Sequence, residues 1–194
     1  WSREGDDPCL LGSLILRCQQ LRRLSLAHNG LNDSSVASLA GCVAIIQETS
    51  GGLTHLDLSS NLISAAGCRA VSQAFFRPKA LNTLPALPAA EVPAPPYLLD
   101  LSLNPGIGDD GARALVEALR AAEGCIAALR MRGVGLSAEG FASLAAAAGS
   151  LAELDLALNV IPVVAELLPF CSGLSQATFL RSLDLAHILN KDGP

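Results

Sequence analysis

Apolar residues recur along this chain in an eleven-position phrase, with leucine or a relative at the first, fourth and sixth positions. The phrase reads Leu21, Leu24, Leu26, then Asn29 and Leu31, and it returns as Leu53, Leu56, Leu58, Asn61 and Ile63. A third copy has Pro96 in the first slot, followed by Leu99, Leu101, Asn104 and, one residue late, Ile107. The fourth copy runs Ile126, Leu129, Met131, Val134, Leu136, and the fifth Leu151, Leu154, Leu156, Asn159, Ile161. A sixth is degenerate: Leu180, Leu183 and Leu185, with Ile188 where asparagine belongs. Starts at 21, 53, 96, 126, 151 and 180 are separated by 32, 43, 30, 25 and 29 residues. A repeat of about 28 residues with one large insertion explains that spacing.

Each position has a physical reason. The fourth and sixth residues alternate with polar neighbours, the period-two signature of a short strand with one buried face. One such strand cannot bury its leucines alone, so copies stack side by side as a parallel sheet. Asparagine at the ninth position satisfies backbone groups in the turn that leaves the strand, where no ladder partner exists. Asn29, Asn61, Asn104 and Asn159 are therefore expected to form a ladder, broken at Val134.

Helical spacing follows each strand. In the third copy Asp109 and Asp110 stand where caps belong, before Ala112, Leu115, Val116 and Leu119. Equivalent helices are predicted over 34–46, 64–76, 137–148 and 162–170, with Pro162 suited to a first turn. Helices are wider than strands, so the array should curve into a horseshoe arc with strands on the concave face and helices on the convex face. The expected fold class is α/β, a single repeat solenoid over residues 1–194. Residues 1–20 read as a partial repeat, with 8–20 as the helix of an earlier copy.

Residues 77–96 interrupt the pattern and hold six of the eleven prolines. They read as a loop inserted between the second helix and the third strand. Its simplest role is a tolerated surface insertion. The alternative is a partner-docking arm anchored by Leu81, Leu84 and Leu87.

The stretches Leu56-Asp57-Leu58-Ser59-Ser60-Asn61 and Asn104 to Leu115 make the chain resemble the ribonuclease-inhibitor-like leucine-rich repeat family over residues 21 to about 188. The resemblance implies the horseshoe and a protein-binding role on the inner face and its rims. Members include ligand-sensing ends of NOD-like receptors and a GTPase-activating protein. A ligand-sensing segment and a regulator of a small GTPase are thus the alternatives to a plain interaction scaffold. The Pro-rich insertion, the fourth and sixth copies without asparagine and the short fourth repeat depart from the family pattern.

Composition narrows the function further. Apolar residues reach 51% while aromatics are only 4%, so the core must be built from Leu, Ala, Val and Ile. The net charge is -5, and residues 97–194 carry eleven acidic against six basic side chains. A mildly acidic surface repels phosphate backbones, so no nucleic-acid partner is expected. No uncharged apolar run reaches the roughly 18 residues a membrane helix needs, so no membrane insertion is expected. The six cysteines form no CxxC pair and lie in apolar stretches. They read as buried free thiols of an intracellular, cytoplasmic protein. A chain opening on Trp1 without a preceding Met reads as a piece of a longer protein or assembly subunit.

Candidate chemistry is sparse. His28, His55 and His187 are the three imidazoles, and His28 and His187 stand five repeats apart. No cysteine has a local base, and Gly106, Gly108 and Gly111 belong to the repeat's own turn. No catalytic residue, cofactor, metal or small-molecule substrate is expected. The inner-face residues, which alternate with the leucines, carry what chemistry there is. Asp57, Asp100, Asp155 and Asp184 should line up as an acidic row with Arg130 between them and Arg132 beside it. Tyr97 and Leu98 should add an apolar spot. The row either attracts a protein partner or pairs with neighbouring strands, Arg130 bridging Asp100 and Asp155 in the second case.

Overall fold

The computed structural model describes residues 15–18, 20–49, 53–76, 97–122, 127–161 and 163–189. Each leucine phrase forms a short strand: β1 (Arg23–Ser25), β2 (His55–Asp57), β3 (Tyr97–Asp100), β4 (Ala127–Arg130), β5 (Leu151–Asp155) and β6 (Ser182–Asp184). Among the described residues these six form one parallel sheet in chain order. The ladder outlasts the strands. The N–H of the sixth phrase position donates to the carbonyl of the fifth position one repeat on, as Leu58 does to Asp100 and Met131 to Asp155, both at 2.8 Å.

Helices α1 (Asp33–Thr49), α2 (Ala65–Phe75), α3 (Gly108–Ala121), α4 (Ala138–Ala145) and α5 (Leu168–Gly173) return the chain to the next strand, each packing on its neighbour. Packed helices need 8–10 Å apiece and paired strands under 5 Å. The sheet therefore lies on the inner side of the arc, and the molecule is an α/β solenoid. The core between the layers is leucine-rich as expected: Leu56, Leu58, Leu99, Leu101, Leu129, Leu154 and Leu156 are at most 1% exposed.

The asparagine positions do what their spacing predicts, and they do it across repeats. Asn104 Nδ2 donates to the carbonyls of Leu58, Leu101 and Ser102, and its Oδ1 accepts from Ile63 N–H at 3.1 Å. Asn159 donates to Met131, Leu156 and Ala157 and accepts from three N–H groups, those of Val134, Gly135 and Leu136. Asn61 likewise joins the second repeat to the first.

Several details differ from the sequence reading. Asp109 and Asp110 are not caps; they lie inside the first turn of α3, whose preceding residue Ile107 makes no side-chain cap bond. Asp109 instead accepts from the N–H and hydroxyl of Ser137, the cap of α4, at 2.9 and 2.6 Å. Asp33 does the same two joints earlier, to Ser64 N–H, Ser64 Oγ and Gly67 N–H. At both joints a glycine (Gly67, Gly140) gives the carboxylate room, since a Cβ there would press into it. The fifth helix starts late: a 3-10 turn spans Val164–Leu167, and α5 begins at Leu168. Pro169 has no N–H to give a helix interior, so the helix is built around it as a first-turn residue.

The expected buried thiols are only partly so: Cys68 is buried and Cys42 half-buried, while Cys18 and Cys171 are exposed. None of these four is in a disulfide, and burial pushes the Cys68 thiol up to about 12. The partial repeat before residue 15, the insertion 77–96, the starts Pro96 and Ile126, and Pro162 lie outside the described residues.

Candidate functional site: the inner face of the sheet

Strand alternation sends the residues between the leucines to the inner face, and the parallel register turns them into rows. One row reads Arg23, His55, Leu98, Ala128, Glu153, Ser182, and the next Ser25, Asp57, Asp100, Arg130, Asp155, Asp184. The acidic row with Arg130 inside it is thus assembled as the sequence implied.

The aspartates split their work between two oxygens. In Asp57, Asp100, Asp155 and Asp184, Oδ1 accepts the N–H two residues on, at 3.0, 3.0, 3.1 and 2.9 Å. This Asx turn holds the exit from each strand. Oδ2 is left for lateral contacts. In Asp57 it accepts from Ser25 Oγ at 2.8 Å. Arg132 Nη1 reaches Oδ2 of both Asp155 and Asp184, at 3.2 and 3.4 Å. Arg130 stands 3.9 Å from Asp100, an ion pair too long for a hydrogen bond. The side chain spanning two acidic strands is therefore Arg132; Arg130 is the less tied of the pair.

Charge shifts follow the geometry. Burial raises the Asp57 carboxyl, but bonds from Ser59 and Ser25 and the nearby Arg130 charge outweigh it, leaving it below the usual range. His55, whose Nδ1 lies 2.9 Å from Thr54 Oγ1, is lowered by burial and by Arg23 and Arg130. Between β4 and β6 the face dips into a shallow hollow of about 160 Å³ walled by Arg130, Glu153, Asp155, Ser182 and Asp184. Leu98 lies half-buried in the first row. Tyr97 turns the other way: its ring meets buried Phe75 edge-on at 5.8 Å and packs on the core.

One feature at the rim has no sequence forewarning. The eighth phrase position is left-handed in every repeat: His28, Ser60, Leu103, Gly133, Leu158 and His187 have φ of 60, 54, 59, 57, 63 and 57°. The turn after the strand requires it, whatever residue is present. For a leucine the cost is about 1–2 kcal/mol, yet Leu103 and Leu158 stay 48% and 43% exposed. The periodicity of the position was readable, but its glycine signal was absent from all but one copy.

The residues of three strand–helix units match a family model described as Leucine Rich repeat, over 17–40, 53–72 and 98–116. Together with the six-stranded parallel sheet and its outer helices, these matches make the fold a leucine-rich repeat solenoid. The chain is also 38% identical over 101 residues to Tonsoku-like protein of Bos taurus, a stretch that makes up 52% of this chain and 6% of that protein. The chain thus spans a small part of the length of this curated relative. Among the described residues, no helix is long and apolar enough to cross a membrane.

Proposed function

We propose that this leucine-rich repeat protein is a non-catalytic interaction scaffold that binds a protein partner through its inner face. The observation that carries the reading is the unpartnered face of the six-stranded sheet, on which Asp57, Asp100, Arg130, Asp155 and Asp184 stand in register and Arg132 reaches over the last two. Fixed charged side chains on a rigid sheet give specificity and speed encounter without needing a deep pocket. Leu98 adds apolar area to the same face, while the core contact of Tyr97 favours a supporting role.

The ribonuclease-inhibitor-like subtype is supported by the alternation of strand and full helix, and the reading as part of a longer protein by likeness to a stretch of a much longer relative. Affinity purification with wild type and with the Arg130→Glu/Arg132→Glu variant tests the proposal. The set of retained proteins should differ between wild type and the variant, by loss or by gain. An unchanged set would remove the inner face from the interaction.

A further inference from the structure

Resting on that scaffold reading, we infer that the inner face takes a basic segment of a protein partner: a Lys or Arg enters the hollow between β4 and β6, and a neighbouring apolar side chain rests on Leu103 and Leu158.

Charge gives the first argument. On the inner face Asp57, Asp100, Glu153, Asp155 and Asp184 oppose Arg23, Arg130 and Arg132, an excess of acid. Arg132 is already shared by Asp155 and Asp184. Glu153 stands exposed on the wall of the hollow with no ion pair to another described residue. A cation entering there meets three carboxylates, with Arg130 on the opposite wall limiting the space to one side chain. An incoming acidic segment would face the same carboxylates as repulsion.

The rim gives the second, independent argument. Four of the six left-handed positions hold histidine, serine or glycine, side chains that suit a wet turn; two hold half-exposed leucine. Leu103 and Leu158 flank Gly133 on its two sides: a Cβ added there would lie 3.3 Å from Leu103 Cδ2 and 3.7 Å from Leu158 Cβ. They make one apolar saddle beside Arg132. Neither leucine is called for by the turn, and strained backbone kept at an exposed apolar side chain points to a contact made with something else. The saddle is three phrase positions beyond the acidic row, about 10 Å at strand rise, the reach of a short extended segment.

Selection of a phage-displayed library of random 12-residue peptides against the full chain tests the inference. Selected peptides, remade with a fluorescent label, should carry Lys or Arg with a large apolar residue nearby, and bind less tightly as salt rises. Leu103→Asn/Leu158→Asn and Glu153→Gln/Asp184→Asn should each weaken them about tenfold, as loss of an interface anchor does. Asparagine tolerates the left-handed conformation better than leucine. The first variant should therefore melt no lower than wild type, which a merely structural role for the leucines would not allow. Acidic or uncharged consensus peptides, affinities untouched by both variants, self-association of the chain through this face, or no selected peptide at all would overturn the inference. Peptides insensitive to both variants but lost with Arg130→Glu/Arg132→Glu would leave the scaffold reading standing and refute this one.

Discussion

Two joints in the array solve the same problem differently. Between the second and third repeats, buried Asn104 ties four backbone groups together. Between the third and fourth, the corresponding residue is Val134, fully buried and unable to bond. There the backbone closes its own account: Ile107 N–H donates to Asn104 O at 3.1 Å and Gly108 N–H to Val134 O at 3.0 Å. The extra residue in the third turn makes this possible, because it shifts Ile107 out of reach of the usual amide. The outer layer ties the joint too, with a clasp of the kind Asp33 makes at the first joint, where Asn61 is present. Asp109 clasps Ser137 at the joint that lacks asparagine. The asparagine is thus one way of satisfying a turn, and the repeat tolerates its loss where the backbone supplies another.

The largest effect should come from removing the amide where it is used. Asn159→Ala deletes six hydrogen bonds and strands Val134, Gly135 and Leu136 N–H groups in a site where the asparagine is 1% exposed. Unsatisfied buried donors cost roughly 1–3 kcal/mol apiece before relaxation, so a net loss of about 3 kcal/mol is expected. Chemical denaturation measures it, and Asn104→Ala should fall close behind. A loss below about 1 kcal/mol, well under the usual effect of a buried network, would mean the amides are not what holds these joints.

The helix-layer clasp comes next. Asp33 makes three bonds to Ser64 and Gly67 in a half-buried place, whereas the clasp of Asp109 is exposed and has two. Asp33→Ala should cost about 2 kcal/mol and Asp109→Ala about 1, as for charge-assisted capping bonds. The Asp33 effect should depend on pH. Burial raises this carboxyl, but the bonds from Ser64 and Gly67 outweigh it, so its folded value lies below the ordinary one. The unfolded chain then binds the proton more readily, and the stabilisation is complete above the usual carboxylate range of about 4. It is lost as pH falls through the folded value. Wild type and Asp33→Ala should therefore converge in stability on acidification. Hydrogen exchange separates the two joints: Asp109→Ala should speed exchange at Leu101 and Leu103, whose N–H groups cross to the fourth repeat. Asp33→Ala should leave Leu26 and His28 better protected, because Asn61 still ties that joint.

How far the sequence reached follows from where each signal lives. Leucine alternation and the asparagine are local and repeat in phase, so the strands, their order, the inner-face rows and the ladder broken at Val134 were all legible. The clasps were not, because Asp33 and Ser64 lie in different repeats and Asp109 reads locally as a cap. Arg130 stood out as the bridging side chain, yet Arg132 fills that place, since its guanidinium reaches diagonally over two strands rather than one. Tyr97 was placed on the wrong side by position alone: a ring one residue from the first phrase slot finds Phe75 and the core.

The smallest effect is the most direct test of the comparison. Val134→Asn restores the missing rung. Its amide would lie beside the carbonyls of Leu101 and Met131, as Asn104 lies beside those of Leu58 and Leu101. Its oxygen would have little to accept, however, because Ile107 N–H is already spent on Asn104 O and Gly108 N–H on Val134 O. A half-satisfied buried amide in place of a well-packed valine should lower stability by about 1 kcal/mol or less. Were the variant more stable than wild type, the backbone solution would be the poorer one, and the fourth repeat would be a defect carried by its neighbours. A neutral or slightly destabilised variant makes it an alternative joint of equal standing. Adding Asp109→Ala sharpens the distinction: with the clasp gone, the restored amide should soften the loss if both devices secure the same joint, and leave it unchanged if they act on separate layers.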